Sequence, residues 1–184
     1  MALPELQSTR LLLRARRPAD LDAIVRMNAD REVMRHIAAV GDPAMGREAV
    51  AARSFSHVAR ELGYWSVFAR EEPAEFTGYV GLIPDGAVVD DIQLGYRFEA
   101  RHWGKGYARE AAACLLRHGF GTLGFPRVGI TTHPQNIASL RLAARLGFEP
   151  APTVPDILIG DPPVSAFRLQ LTRAAWLRLT LPEG

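Results

Sequence analysis

A glycine-bearing segment between a predicted strand and a predicted helix is the part of the chain best suited to chemistry. Arg101-His102-Trp103-Gly104-Lys105-Gly106 follows a strand-like run at 92–98 and precedes a helix-like run that begins at Tyr107. Glycines let the backbone approach a ligand closely, and the first turn of a helix offers unpaired N–H groups at the positive end of its dipole. The segment therefore predicts a site for a phosphate or pyrophosphate group.

Positive charges recur around this segment. Arg101, Lys105 and Arg109 are spaced four residues apart, and Lys105 is the only lysine in the sequence. Three cations beside a cradle of backbone amides suit a polyanionic ligand. On these local features alone, an ordinary helix start with solvated arginines remains an open alternative.

Two other phosphate-binding motifs fit the sequence badly. A dinucleotide-binding fingerprint would need its third glycine where Arg109 stands, and an acidic residue at the end of a strand some 20 residues later is missing. A P-loop would need Gly-Lys-Ser or Gly-Lys-Thr, and neither occurs. The sequence therefore disfavours both classes of nucleotide-binding fold.

The elements around the segment predict a mixed sheet. Short polar links between residues 64 and 99 predict an antiparallel meander, whereas the strand-helix-strand unit 92–132 is long enough for a parallel crossover. We expect an α+β (mixed α/β) fold. The predicted strands are 10–14, 64–70, 76–83, 90–99, 127–132, a short one near 148 and 164–171, and the predicted helices are 18–27, 47–62, 107–120, 137–146 and 172–179.

Composition limits the partners and the compartment. The 184 residues suggest one domain, 1–184, and a net charge of +2 does not indicate nucleic-acid binding. No stretch approaches the apolar length of a membrane span, and the amino terminus does not resemble a secretory signal, so we expect a cytoplasmic protein with no membrane contact. The single cysteine, Cys114, is interpreted as a buried apolar residue, and no metal site is predicted.

Four ordered blocks carry a family resemblance. Arg101, Gly104 and Gly106 satisfy the pattern Gln/Arg-x-x-Gly-x-Gly/Ala. The other three blocks are Asn136-Ile137-Ala138-Ser139 with Leu146-Gly147-Phe148, Ser8-Thr9-Arg10-Leu11-Leu12-Leu13-Arg14, and Gly78-Tyr79-Val80-Gly81-Leu82. Together they resemble the GNAT superfamily of acyl-CoA-dependent N-acetyltransferases, and within it the branch that includes the ribosomal-protein N-terminal acetyltransferases.

The resemblance implies a fold and a co-substrate. The expected fold is a mostly antiparallel twisted sheet with helices on both faces, in which strands 92–98 and 127–132 splay apart to hold acetyl-CoA. The pyrophosphate would lie on the backbone of 104–109, and backbone amides at 94–98 would polarise the thioester. The implied cofactor-binding residues are Leu94, Gly95, Tyr96, Arg97, Phe98, Arg101, His102, Trp103, Gly104, Lys105, Gly106, Tyr107, Ala108, Arg109, Asn136 and Ser139. Asn136 is also a natural helix N-cap.

The residues expected to do the chemistry are incomplete. Many family members carry a glutamate where this chain has Gln93, and a tyrosine where it has Ala143 or Ala144. By resemblance, Ser139 is left to stabilise the leaving thiolate. Strand alternation places Asp91 on the same face as Gln93, so Asp91 is a candidate base acting through water, with an exposed turn carboxylate as its alternative role.

These expectations lead to one leading function and two rivals. The leading one is transfer of an acetyl group from acetyl-CoA to a protein N-terminus or a small amine. A non-catalytic acyl-CoA-binding or sensing module and a ligand-free partner-binding domain are the alternatives, and a homodimer is compatible with each. Acceptor residues are expected from segment 28–46, the helix after it and loop 150–163, with Met34, His36, His57, Tyr64 and Trp65 as pocket candidates.

Overall fold

An eight-stranded mixed sheet forms the centre of the fold. The computed structural model describes residues 3–86, 91–152 and 156–180. In these ranges the strands are β1 (Leu6–Gln7), β2 (Leu11–Ala15), β3 (Gly63–Ala69), β4 (Glu72–Pro84), β5 (Ile92–Phe98), β6 (Arg127–Thr132), β7 (Glu149–Pro150), β8 (Leu158–Ile159), β9 (Val164–Ser165) and β10 (Phe167–Thr172). The helices are α1 (Leu21–Asn28), α2 (Arg31–Met34), α3 (Arg47–Phe55), α4 (Tyr107–Arg117), α5 (Ile137–Arg145) and α6 (Arg173–Thr180). The sheet order is β1-β2-β3-β4-β5-β6-β10-β7, and β8 and β9 form a separate pair.

Strands β5 and β6 are the parallel pair of this sheet, and they separate after one point of contact. Strands β3, β4 and β5 form the predicted antiparallel meander. The connection from β5 through α4 to β6 gives the predicted parallel crossover, but only Gln93 and Gly129 are in register. Beyond Gln93 the edge of β5 that faces β6 therefore lacks a continuous ladder partner. The α+β fold and the splayed strand pair are confirmed.

The two faces of the sheet carry separate cores. Side chains alternate along each strand, so every second residue of β5 points to the same face. Ile92, Leu94 and Phe98 are buried in the core that packs against α4. A smaller apolar cluster, which includes Ile24 of α1 and Phe68 of β3, covers the opposite face. Burial on both faces fixes the register of β5, because a slip of one residue would reverse the direction of every side chain.

Some element boundaries differ from the prediction. Helix α3 ends at Phe55, well before the predicted residue 62, because a 3-10 turn at Val58–Arg60 and a left-handed Glu61 (φ 59°) follow it. The strand predicted at 164–171 is divided, since β9 pairs with β8 whereas β10 pairs with β6 and β7. Asp90, the predicted first residue of β5, and part of loop 150–163 lie outside the described residues. Among the described helices, none has the length and apolar character needed to cross a membrane.

Candidate active site

The glycine segment forms an open turn that leads into α4. Gly104 and Gly106 have φ values of 75° and 80°, a left-handed conformation that favours glycine. Gly106 is the N-cap of α4 and offers no side-chain cap, and the first amide bonded at the start of the helix is that of Glu110, which donates to the Gly106 carbonyl at 3.1 Å. Within the described chain the amides of 104–109 therefore have no acceptor. These are the amides that the predicted anion cradle would use, and their binding of an anion stays a prediction.

The first hairpin braces this turn. The Arg10 side chain donates to the Lys105 carbonyl at 2.9 Å and to Glu110 at 2.7 Å. Glu110 also accepts from the Ser8 hydroxyl and from the Arg10 amide, each at 2.8 Å. These hydrogen bonds hold the pKa of the Glu110 carboxyl below its usual value, although burial opposes the shift. Residues 8–14 therefore help to position the glycine turn, a structural role that the sequence did not indicate.

The three predicted cations have different surroundings. Arg101 forms an ion pair with Glu99 at 2.6 Å and another with Glu75. In the described part of the chain, Lys105 and Arg109 have no ion-pair partner, and the Lys105 ammonium lies 5.9 Å from the centre of the Tyr107 ring. We conclude that Lys105 and Arg109 are the two charges left available to an anion.

The other two residues of the segment are held by the fold. The His102 ring is buried and stacks on Tyr107 with a centroid distance of 6.2 Å. Burial lowers the pKa of His102, and the charges of Arg101 and Lys105 act in the same direction. The Trp103 indole donates to the Phe98 carbonyl at 2.9 Å. Trp103 therefore ties the segment to the end of β5, and His102 packs against the first residue of α4.

A hydroxyl pair lies where β5 faces α5. The Tyr96 and Ser139 hydroxyls are 2.8 Å apart. Burial raises the pKa of Tyr96 to about 12, and its hydrogen bond with Ser139 opposes that shift. The Asn136 side chain accepts from the Ser139 amide at 3.0 Å, so the predicted N-cap is confirmed. Sequence reasoning named Ser139 as a candidate but did not consider the Tyr96 hydroxyl, which alternation along β5 places on the same face as Leu94 and Phe98.

Gln93 and Asp91 lie at the point where β5 and β6 meet. Gln93 is in register with Gly129, and within the described residues its side chain has no hydrogen-bond partner. Asp91 forms an ion pair with Arg127, and its second oxygen lies 3.7 Å from Arg168. Both oxygens of Asp91 thus face arginines, which gives this carboxylate a structural role that competes with a water relay. Its catalytic assignment remains a prediction.

A pocket of about 180 Å³ opens on the face opposite α4. It draws on segment 28–46 and on α3, as expected, and includes Tyr64, but none of its described residues comes from loop 150–163. Trp65 points into the other core and donates to the Pro4 carbonyl at 2.8 Å, and Met34, His36 and His57 are also not part of the lining. The lining residues are Arg16, Ile24, Asn28, Met45, Val50, Arg53, Tyr64, Tyr79 and Arg97.

Comparisons with known proteins agree with this geometry. The family model described as Acetyltransferase (GNAT) domain matches residues 10–149. The uncharacterized protein YkkB of Bacillus subtilis (strain 168) is 30% identical over 126 residues, which are 68% of this chain and 73% of that protein. The FsC-acetyl coenzyme A-N(2)-transacetylase of Aspergillus fumigatus is 28% identical over 196 residues, covering 99% of this chain and 82% of the relative.

The fold has a counterpart among solved structures. The crystal structure of the acetyltransferase from Agrobacterium tumefaciens str. C58 matches with a TM-score of 0.76 and 26% identity, over 93% of this chain and 95% of that chain. The family model covers well over half of the sequence, including the glycine segment and the Asn136–Phe148 block. The chain therefore belongs to the GNAT acetyltransferase family.

Proposed function

We propose that this chain, as a single domain over residues 1–184, transfers an acetyl group from acetyl-CoA to a primary amine in a ternary complex. The observation that carries the proposal is the set of unpaired amides at 104–109, placed at the end of a strand that has separated from its neighbour. A phosphate-binding helix start beside an open strand edge suits a long ligand with an anionic end and an extended arm. Acetyl-CoA, which the GNAT family uses, has that shape.

Residues along β5 and just after it would bind different parts of acetyl-CoA. The amides of 104–109, with Lys105 and Arg109 beside them, would hold the pyrophosphate. The free edge of β5 from Leu94 to Phe98 would hydrogen-bond the pantetheine arm and polarise the thioester carbonyl. Gly95 supports this assignment, because a Cβ added there would meet no atom within 4 Å.

The Tyr96 and Ser139 hydroxyls would receive the leaving thiolate. A phenol with a pKa of about 12 stays protonated at neutral pH. It is a weaker acid than a thiol of pKa near ~8.5, so it would donate a hydrogen bond to the sulfur without giving up its proton. This pair would take the place of the tyrosine that is missing at Ala143 and Ala144.

The amide at Gln93 affects which amines can react. An α-amine with a pKa near ~8 is roughly one-tenth neutral at pH 7, whereas a lysine amine near ~10.4 is neutral less than about one time in a thousand. An amide cannot accept a proton, so a site built around Gln93 should favour amines of low pKa. The protein N-termini implied by resemblance to the ribosomal branch are amines of this kind.

The test measures thiol release from acetyl-CoA with peptides that offer either a free N-terminus or a lysine side chain. We expect the N-terminal α-amine to react faster at pH 7, and faster lysine acetylation would contradict the assignment. Tight CoA binding without turnover on any amine would instead favour the acyl-CoA-binding module. The Tyr96→Phe variant should lower kcat about 10-fold, a loss comparable to one charge-assisted hydrogen bond. Its CoA affinity and the shape of its pH profile between pH 7 and 9 should not change.

A further inference from the structure

The acceptor pocket contains a buried cation whose donors are only partly used. Arg16, just after β2, is 8% exposed, and its guanidinium carbon lies 4.2 Å from the centre of the Tyr64 ring and 4.5 Å from that of Tyr79. Its Nη1 donates to the Ser54 hydroxyl at 2.8 Å. Its Nε and Nη2 are buried and have no partner among the described residues. A buried donor left unpaired is costly, so these two groups are the ones a ligand would satisfy.

A second arginine faces the same pocket. Arg97 of β5 is the cross-strand neighbour of Tyr79, and its Nη1 donates to the Asn28 side-chain oxygen. The Asn28 amide in turn donates to the Met45 carbonyl at 3.0 Å, which fixes its orientation. The Nε of Arg97 is buried and unpaired within the described chain. Two guanidinium groups therefore present free donors to one small cavity.

No described carboxylate neutralises these two charges. The nearest one that influences Arg16 is Asp20, and its oxygens are held by Arg14 at 2.7 and 2.9 Å, by Ser66 at 2.7 Å and by the Arg17 amide at 2.8 Å. Neither Arg16 nor Arg97 forms an ion pair with another described residue, and Arg53 adds a third positive charge at the exposed rim. Burial lowers the pKa of Arg16, and the charge of Arg97 adds to that effect. Buried charges normally have a counter-charge, so an anionic group is the ligand that suits this pocket.

The pocket also lies beside the expected point of reaction. Arg97 and Gly95 share one face of β5, two residues apart, which is about 7 Å along a strand. The space above Gly95 is open. An acceptor held by its anionic group between Arg16 and Arg97 could therefore reach the thioester with its amine. The cavity of about 180 Å³ is smaller than the ~300 Å³ at which drug-sized sites begin, which fits a small group and not a long polyamine.

We propose that the acceptor is an α-amine whose side chain carries a carboxylate, and that this side-chain carboxylate binds between Arg16 and Arg97. A planar carboxylate matches the two-donor geometry of a guanidinium, and the Tyr64 and Tyr79 rings, which contact each other edge to face, both pack against the Arg16 guanidinium and hold it in place. Free acidic amino acids and peptides that begin with Asp or Glu share this chemistry. The inference deepens the proposed acetyl transfer and rests on it.

The experiment compares acceptors that differ only in one charge. Thiol release from acetyl-CoA is measured with amidated peptides beginning with Glu or Gln, and separately with free glutamate or glutamine. Within each pair the α-amines are closely matched, so the side-chain carboxylate is the main variable. We expect kcat/KM to be about 10- to 100-fold higher for the acidic member, the range of one or two charge-assisted hydrogen bonds. The peptide and amino-acid arms identify the source of the carboxylate.

Two variants locate the effect. Arg16→Met should bring the acidic-to-neutral ratio close to one while the affinity for CoA, measured by calorimetry, is retained. Arg26→Met removes an exposed charge from α1, outside this pocket, and should leave the ratio unchanged. Equal rates for acidic and neutral acceptors in the unaltered protein would overturn the inference even if Arg16→Met did not fold.

The outcomes separate this inference from the proposed function. Turnover on neutral amines with no preference for acidic ones would leave acetyl transfer intact and remove the carboxylate site. Absence of turnover on every amine would contradict the proposed function. In that case the thermal shift of the CoA-bound protein with glutamate and with glutamine tests the pocket directly. Stabilisation by glutamate alone, lost in Arg16→Met, would support the site, and equal shifts would refute it.

Discussion

Arg168 and Arg16 are both buried, but the chain surrounds them differently. Arg168 of β10 forms an ion pair with Asp85, lies 3.7 Å from Asp91, and donates to the Thr131 hydroxyl at 3.0 Å. Arg16 contacts one hydroxyl and two aromatic rings, and no carboxylate of the described chain lies within ion-pair distance. Arg168 therefore lies at the junction of β5 and β6 with its charge paired, whereas Arg16 lines a cavity.

The difference separates a structural charge from a ligand-binding one. A buried charge that is paired within the chain helps to specify the folded arrangement. Removal of one partner leaves the other charge buried and uncompensated, which is strongly destabilising. A buried charge without an internal match is held by packing and keeps free donors for another molecule. Substitution of Arg168 should therefore change stability, whereas substitution of Arg16 should change acceptor selectivity.

The largest effect is expected at the matched arginine. Arg168→Leu would remove a buried charge together with its ion pairs to Asp85 and Asp91, and should lower the free energy of unfolding by about 3–5 kcal/mol. Chemical denaturation monitored by circular dichroism measures the change. A loss smaller than that of Arg16→Met would remove the contrast between the two sites.

A somewhat smaller loss of stability, which depends on pH, is expected for Asp20→Asn. Burial tends to raise the pKa of Asp20, but hydrogen bonds from Arg14, the Arg17 amide and Ser66 outweigh it, so the pKa is lowered overall. A lowered pKa in the fold means that the carboxylate stabilises the protein above its unfolded pKa, near ~3.9, and that this stability is lost as pH falls through the folded pKa. We expect a loss of about 2–3 kcal/mol at pH 7 for the variant. Unfolding curves of the two proteins should converge as the pH falls through the lowered pKa of Asp20.

Two glycines on neighbouring strands sharpen the contrast further. A Cβ added at Gly129 would lie 2.6 Å from the Arg168 guanidinium, whereas one added at Gly95 would meet nothing within 4 Å. Gly129→Ala should therefore cost about 1–3 kcal/mol of stability through overpacking against a fixed side chain. Gly95→Ala should change stability little but lower kcat/KM by narrowing the space for the reacting groups. Equal melting temperatures for both variants would contradict this reading of the junction.

The smallest effect on stability is expected at the unmatched arginine. Arg16→Met keeps much of the side-chain volume, removes two buried unpaired donors and loses the contacts with two tyrosine rings, so the opposing changes should nearly cancel. We expect the free energy of unfolding to change by no more than about 1 kcal/mol, the scale of one cation-π contact. The same denaturation series measures it, with Arg26→Met as the surface control.

Much of the fold could be predicted because its patterns are local. Strand alternation in β5, the meander, the parallel crossover and the N-cap at Asn136 all follow from neighbouring residues. The predicted end of α3 lies too far along the chain. The turn that follows the helix includes Glu61 in a left-handed conformation, which the sequence does not indicate. The division between β9 and β10 was missed since it depends on which distant strands each one pairs with.

Contacts between distant residues account for what the sequence did not reveal in the site. Tyr96 and Ser139 are 43 positions apart, and their hydroxyls meet only because the fold brings the first turn of α5 beside the Tyr96 side chain. Arg16 follows β2 and Arg97 lies in β5, and both guanidinium groups contact the ring of Tyr79 in β4. Alternation along β5 places Arg97 on the face opposite Leu94 and Phe98, but no local signal identifies which buried cation lacks a partner within the described chain.

The hydrogen bonds between the first hairpin and the glycine turn couple the amino-terminal residues to the proposed CoA site. Whatever loosens Ser8 and Arg10 should weaken CoA binding, and by reciprocity bound CoA should slow hydrogen exchange at the amides of β1 and β2. A chain shortened to residue 10, where the family match begins, would retain Arg10 but lose Ser8 and the β1 strand. The edge strand β1, four strands away from β5 in the sheet, would then contribute to the affinity for CoA.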